Sequence, residues 1–395
     1  MPYYKTIRDI TPKKTRLRTL GGLKRLREQL DTVMPRKTRD ATLILGTWNI
    51  RNFDDNRFAN GPRTAEDLHY LAEIISRFDV LAIQEICDDI APLDKLMRLL
   101  GGHYDYIVTD VTEGPSGSGE RLGYIFDKNK VSFQGIAGEL VLPASLQVVD
   151  EGKNRQFART PFMCSFQAGW FKFLLSTVHI YYGEKKGPKY ERRVKEVDAV
   201  AKFLAKRAKH DDRNHILVGD FNILEPGSSG YNALKKHGFA IYQNSEGSNT
   251  YQTKFYDQIS FRVRENELRF VDSPNNKGVL QYFDSIFRNQ DFDQYQRDVV
   301  KTIEEKLVKL QEEIAQATLA REETTSSTRR ATLTKSIARK KKQVADWEGH
   351  LSDPARQQAY YASEWRTYHA SDHLPLWVEL EIDFSDAYLT YLATL

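Results

Sequence analysis

Six short segments of the chain carry side chains suited to cation binding and proton transfer, each where an apolar run ends. They are Thr47-Trp48-Asn49-Ile50-Arg51, Ile83-Gln84-Glu85, Thr177-Val178-His179, Gly219-Asp220-Phe221-Asn222, Tyr256-Asp257-Gln258-Ile259 and Ser371-Asp372-His373. A side chain at the end of a buried strand projects into a cleft above the sheet. Glu85 and Asn49 offer hard oxygen ligands, and such ligands without thiolate or clustered imidazole suit Mg²⁺ rather than Zn²⁺. Asp220 and Asn222 stand two apart, so continued strand geometry would turn both to one side, within reach of one phosphate or one attacking water. Taken singly, each segment has a plain structural explanation as well. Gln84-Glu85 suits a cap or surface pair, Gly219-Asp220 a turn, and His179 a hydrogen-bonded core histidine.

The elements that must position these residues follow from the apolar pattern. The runs ATLILGTWNI, DVLAIQEI, YDYIVTD, LGYIFDK, MCSFQAGWFKFLLSTVHI, HILVGDF and YDQISFRV are predicted strands, most of them apolar on both faces. TAEDLHYLAEIISR (64–77) and YERRVKEVDAVAKFLAKRAK (190–209) are predicted helices that cover them. Leu20, Leu23, Leu26 and Leu30 recur at spacings of three and four and predict a short amphipathic helix within a basic N-terminal arm, 1–41. Over 291–352 the pattern changes: Ile303, Leu307, Leu310 and Ile314, then Leu333, Ile337, Val344, Trp347 and Leu351, lie among charged residues on either side of ETTSSTRRA. This predicts an antiparallel helical hairpin inserted between two parts, 42–290 and 353–395, of one catalytic domain.

With 395 residues, 40% hydrophobic and 28% charged, the chain excludes disordered, collagen-like and disulfide-scaffold classes. Cys87 and Cys164 lack metal-ligand spacing and are expected reduced in the core. No run approaches the roughly 18 apolar residues of a membrane span, and MPYYKTIRDITPKK has no apolar signal core, so a cytoplasmic protein without a membrane partner is expected. The net charge of +4 is uneven: residues 1–40 hold twelve Lys and Arg against four Asp and Glu, a net of +8 that leaves −4 for the rest. Between Thr324 and Ala345 the hairpin carries only basic charges. Both stretches suit either a solvated face or a polyanion surface.

The six segments, in this order, resemble the metal-dependent phosphoesterases of the endonuclease/exonuclease/phosphatase superfamily. TWNIRNF, LAIQE, ERLGYIF followed by KNKV, FARTPF, HILVGDFN, YDQI and SDHLPLWVEL are similar to segments of its deoxyribonuclease I branch, across about 43–284 and 364–382. The resemblance implies an α/β fold, a four-layer α/β/β/α sandwich of two mostly antiparallel sheets, hydrolysing a phosphate ester with Mg²⁺ or Mn²⁺. It implies metal at Glu85 and Asn49 with Asp372 as a further ligand, directly or through water. It pairs Asp257 with His373 and Glu120 with His179, and gives Asp220 and Asn222 the nucleophile or the transition state, leaving the general base open between aspartate and histidine. Arg51 and Arg159 match arginines that contact phosphate or the minor groove, although a surface salt bridge is the alternative for each.

The expected function is a Mg²⁺-dependent nuclease cutting DNA, rather than RNA, internally. The alternative within the superfamily is a phosphoinositide or sphingolipid phosphoesterase. Against it, the Asp257 segment lacks the Trp-Cys-Asp-Arg stretch expected of inositol-polyphosphate phosphatases. A catalytically dead binding module is a third possibility, but none of the expected ligands is missing. The hairpin has no counterpart in the branch it resembles and is expected to pack on itself first, then to serve a homodimer or a regulatory partner.

Overall fold

The β-branched and aromatic runs become two six-stranded sheets. In the computed structural model, which describes residues 2–112, 119–150, 152–211, 213–242, 244–263 and 268–394, the chain opens with α1 (Lys13–Val33) and β1 (Thr42–Phe53). α2 (Ala65–Ile75), β2 (Val80–Cys87), α3 (Ala91–Leu100), β3 (Tyr104–Val108), β4 (Glu120–Asp127) and β5 (Val131–Glu139) follow. A small ribbon, β6 (Val148–Asp150) and β7 (Lys153–Arg155), precedes β8 (Phe162–Ala168) and β9 (Phe171–His179). Then come α4 (Pro188–Arg207), β10 (Asn214–Asp220), α5 (Ser229–Lys236), β11 (Ala240–Ile241), β12 (Asp257–Arg262) and β13 (Lys277–Val279). The hairpin is α6 (Phe292–Glu323) and α7 (Ser327–Ser352), and α8 (Pro354–Tyr360), α9 (Arg366–His369), β14 (Leu376–Glu381) and α10 (Ser385–Leu392) complete the chain.

One sheet has the order β13-β14-β1-β2-β4-β3 and the other β11-β12-β10-β9-β8-β5. Each holds a single parallel pair, β1 with β2 and β9 with β10, among antiparallel neighbours. The inner faces meet in one apolar layer, in which Leu45, Ala82 and Tyr124 oppose Phe166, Leu175 and Val218. Tyr124 crosses that layer and donates its hydroxyl to Phe162 O and Leu175 O, both at 2.7 Å. Helices α1, α2 and α3 cover the outer face of the first sheet, and α4 and α5 that of the second. The result is the four-layer α/β/β/α sandwich.

This topology puts the candidate site residues at one end. Parallel β1 and β2 share their C-terminal ends with the N-terminal ends of antiparallel β4 and β14. The C-terminal ends of β9 and β10 likewise meet the start of β12. The apolar run MCSFQAGWFKFLLSTVHI is two strands, not one, folded about Gly169 at φ 54°, a turn that its unbroken apolar character hides. Helices α3, α5, α8 and α9 were not read from the sequence.

The N-terminal segment is a packed helix rather than a free arm. Leu23, Leu26 and Leu30 are buried against α2 while Leu20 stays exposed. Arg18 forks onto Glu66 through Nε at 3.1 and 3.0 Å, so part of the local basic excess neutralises a buried acid. The hairpin shares this layer at its base: Tyr295, Val299, Ile303 and Leu307 are buried in the same cluster, and Tyr295 donates to Glu66 at 3.0 Å. Farther out only Ile337 of α7 is buried, and the remaining seam is half-covered by the opposing helix. Among the described residues no helix is long and apolar enough to cross a membrane. Because Leu26 is fully buried, Leu26→Ala is expected to lower unfolding free energy by about 2–5 kcal/mol in urea titration, whereas an undocked arm would leave the midpoint unchanged.

Candidate active site

Seven of the eleven residues singled out in the sequence converge where the strand ends meet. Asn49, Glu85 and Glu120 come from the first sheet and His179, Asp220 and Asp257 from the second, with His373 on the loop before β14. Glu85 sits at a β-bulge, with the register against β4 shifting between Ile83 and Ile86 and its own φ at 63°. A bulge re-aims one side chain out of the alternation, which here turns Glu85 into the cleft. Its two carboxylate oxygens are held separately, Oε1 by Asn49 Nδ2 at 3.0 Å and Oε2 by the Asn52 backbone N–H at 2.8 Å.

The loop carrying His373 is fastened to β1 across a long sequence gap. Ser371 donates Oγ–H to Asn49 O at 2.7 Å and accepts from Arg51 N at 3.0 Å. His373 O accepts from Trp48 Nε1 at 2.9 Å and from the Tyr282 hydroxyl at 3.0 Å. The ring then hydrogen-bonds through Nδ1 to Asp257 Oδ2 at 2.7 Å, and Asp257 Oδ2 also accepts from Ser248 at 2.6 Å. On the other side Glu120 Oε1 lies 3.2 Å from His179 Nδ1 and forms an ion pair with Arg159. Between the two imidazoles, Asp220 Oδ2 is 3.5 Å from His179 Nε2 and 3.8 Å from His373 Nε2, and accepts from Asn49 Nδ2 at 3.1 Å.

Two groupings of possible ligands result: Glu85 with Glu120 and His179, and Asp220 with Asp257 and His373. A hard divalent cation fits at Glu85, on its Asn49 side. Asn49 Oδ1 is buried without a hydrogen-bond partner, next to a Glu85 carboxylate whose other neighbours donate to it. Asp372 is placed outside both groupings. Its side chain is 44% exposed and its nearest ionic neighbour is Arg51 Nε at 3.9 Å, because its backbone is turned inward to accept from Thr250 N and Oγ1. Asn222 also departs from the expected geometry. The strand ends at Asp220, Asn222 turns to φ 54°, its N–H caps Asp220 Oδ1 at 2.8 Å, and its side-chain amide donates to Ile180 O at 2.8 Å. Arg51 is held at the rim by Thr367 and Tyr368.

Three contributors were not assigned roles from the sequence. Gln84 bridges the sheets beneath the site, donating to Thr177 Oγ1 at 2.9 Å and to Thr47 Oγ1 at 3.2 Å; its place beside Glu85 was the available signal. Ser248 orients Asp257, and nothing in SEGSNTY marks it. Arg193, 2% exposed, braces the loops after β9 and β10 through Tyr182 O at 2.9 Å and Asn222 O at 2.6 Å.

The electrostatics separate the two histidines. Burial, reinforced by Arg159, pushes the His179 value down to about 4, so this ring is neutral at pH 7. Burial acts the same way on His373, but the carboxylates of Asp257 and Asp220 and the hydrogen bond to Asp257 outweigh it and hold this imidazole well above its ordinary value. Glu85 would be raised by burial, yet the neighbouring His179 and the donors from Asn52 and Asn49 hold it down at about 2. Asp220 is raised by burial, with Asp257 adding to the effect.

A sequence profile described as the endonuclease/exonuclease/phosphatase family matches residues 46–271. The chain belongs to this family. Its members are hydrolytic, divalent-metal-dependent phosphoesterases, in keeping with the acidic groupings found here. Deoxyribonuclease-1 of Rattus norvegicus is 30% identical over 97 residues, which is 23% of this chain and 32% of that protein, so the chain spans about a third of this relative's length. Among solved structures, a mannosyl-6-phosphatase of Bacteroides thetaiotaomicron VPI-5482 aligns with TM-score 0.46 and 18% identity over 60% of this chain and 90% of its own. The human Nocturnin catalytic domain aligns with TM-score 0.39 and 16% identity over 60% and 85%.

The ring charges give a pH signature for the metal-free protein. A histidine raised on folding adds stability that is complete below its unfolded value near 6.5 and is lost as pH rises through the folded value. In EDTA, the His373 ring resonances are expected to titrate well above pH 6.5, and Asp257→Asn is expected to move that titration downward. A ring titrating near 6.5 in both proteins would contradict the assignment.

Proposed function

We propose that this protein is a Mg²⁺- or Mn²⁺-dependent nuclease that cleaves phosphodiester bonds within DNA. The observation that carries the proposal is the pair of imidazoles, His373 hydrogen-bonded to Asp257 and His179 beside Glu120, whose Nε2 atoms both approach Asp220 Oδ2. Two titratable groups of one kind with proton affinities pushed apart mark an acid and a base in one site. Phosphodiester hydrolysis requires both, because a water must lose a proton and the leaving oxygen must gain one. The partial likeness to deoxyribonuclease-1 supports nucleic acid as substrate over a lipid headgroup.

Glu85 and Asn49 Oδ1 would hold the divalent cation, which supplies charge neutralisation at the scissile phosphate. Neutral His179 offers Nε2 as acceptor for a proton from the attacking water, with Glu120 Oε1 lying 3.2 Å from its Nδ1. Protonated His373 offers Nε2–H to the leaving oxygen or a phosphate oxygen, its charge sustained by Asp257. Asp220 sits between the two rings and orders the water, held in place by the Asn222 N–H. Arg51 and Arg159 stand at either side of the cleft, where guanidinium groups suit phosphate oxygens.

Nicking of supercoiled plasmid is expected to require Mg²⁺ or Mn²⁺, to stop in EDTA, and to fall by about 10²–10⁴-fold in His373→Ala. Glu85→Ala is expected to abolish it across the accessible metal range. Retained nicking in both variants would overturn the site. Inertness of the parent protein toward all DNA, with hydrolysis of a phosphoinositide or sphingomyelin instead, would overturn the substrate.

A further inference from the structure

Beside the catalytic cleft lies a second concave surface to which nothing above gives a role. An open groove of about 610 Å³ runs between the loop after β1 and the base of the hairpin. Lys306 and Lys309 of α6 reach across it and donate to Phe58 O at 2.6 Å and Arg57 O at 2.8 Å. The hairpin thereby fixes the loop, while both ammonium groups are met by carbonyl dipoles rather than by carboxylates. Arg339 of α7 adds a further cation to a wall that also holds Lys340 and Arg57, the latter paired with Asp55. Of the two acids that line the groove, Glu313 is already paired with Lys340 and Glu364 stands alone against the cations. Burial pulls the Lys306 value down to about 8 despite the nearby Glu364, with Lys309 and Arg51 acting in the same direction, as expected where positive charge lacks a counterion.

The groove also has an aromatic side. Phe58 is 53% exposed, an uncommon fate for a phenylalanine, and its ring lies 6.0 Å from that of Tyr368. The surface is continuous with the active site: the Arg51 guanidinium lies 3.8 Å from the Tyr368 ring centre, and its backbone N–H is bonded to Ser371. Cations along a track with an exposed phenylalanine, here backed by the half-buried Tyr368, are the features that bind unpaired nucleic acid, since phosphates take the charge and a base with a free face takes the ring. Bases stacked within a duplex present no such face, and an acidic peptide has no need of the ring pair.

We propose that this groove holds an unpaired stretch of nucleic acid next to the scissile phosphate, with phosphates at Lys309 and Arg339 and one base stacked on Phe58 and Tyr368. The proposal rests on the nuclease assignment above and adds to it a strand-binding surface built by the inserted hairpin.

The test uses the full chain in EDTA, with fluorescein-labelled oligothymidylate and a labelled duplex followed by fluorescence anisotropy. Phe58 and Arg339 are both exposed, so Phe58→Ala and Arg339→Glu are expected to melt like the parent. Phe58→Ala is expected to weaken single-strand binding by about 5- to 100-fold, with a smaller effect on the duplex. Arg339→Glu is expected to reduce the slope of log affinity against log salt by about 1. A parent protein that nicks plasmid while both variants bind single strands as it does would overturn the groove and leave the nuclease standing. Loss with Arg339→Glu but none with Phe58→Ala would overturn the stacked strand. A parent that neither binds nor cuts nucleic acid would overturn both proposals.

Discussion

Asp220 is a carboxylate with 1% of its surface exposed, at the junction of two sheets whose inner faces meet mainly through apolar side chains. Burying an ionised group without partners costs far more than a fold can spare, so the surrounding structure has to supply them. Asn49 from the first sheet and the Asn222 N–H in the turn after β10 do so, and the two imidazoles sit just beyond them. The Asn49 amide touches Glu85 and Asp220 at once, so it joins β1 of one sheet to the end of β10 of the other, alongside the Gln84–Thr177 bridge beneath it. The polar cluster of the candidate site is also what ties the sheets to each other at that end.

A second buried acid organises the outer layer. Glu66 at the start of α2 accepts from Arg18 of α1, from Tyr70 one turn on, and from Tyr295 at the base of the hairpin. Three separate stretches of sequence are thus tied to one carboxylate. The basic N-terminus and the insertion are parts of the same packed layer as the sheet they cover. An insertion rooted in this way can present the groove lysines at fixed positions relative to Ser371 and His373, which a hairpin on flexible connections could not.

Much of this was legible in the residues. The strand runs and two covering helices follow from apolar content and period, and the order of the polar segments at strand ends pointed to the family before any geometry was known. The histidine pairings with Asp257 and Glu120 came from that resemblance, and both are close in space. What could not be read depends on local backbone geometry or on distant partners. The bulge at Glu85 and the left-handed turn at Asn222 break the two-residue alternation on which a pattern argument rests. Asp372 faces outward because its carbonyl is captured by Thr250, a contact with no sequence signature. Leucines spaced three and four apart predict a short helix around Leu20–Leu30, which the structure extends to Lys13–Val33, but not what it packs on, since periodicity gives a face and not its partner.

The most direct test of the account is calorimetric unfolding with and without Mg²⁺ in the parent and in Glu85→Gln, a substitution that keeps the shape and removes the charge. A ligand that binds only the folded state raises its stability with concentration. The melting temperature is expected to climb with Mg²⁺ in the parent and to be indifferent to it in Glu85→Gln. An equal rise in both proteins would place the cation elsewhere and contradict the assignment of the site on which the mechanism depends.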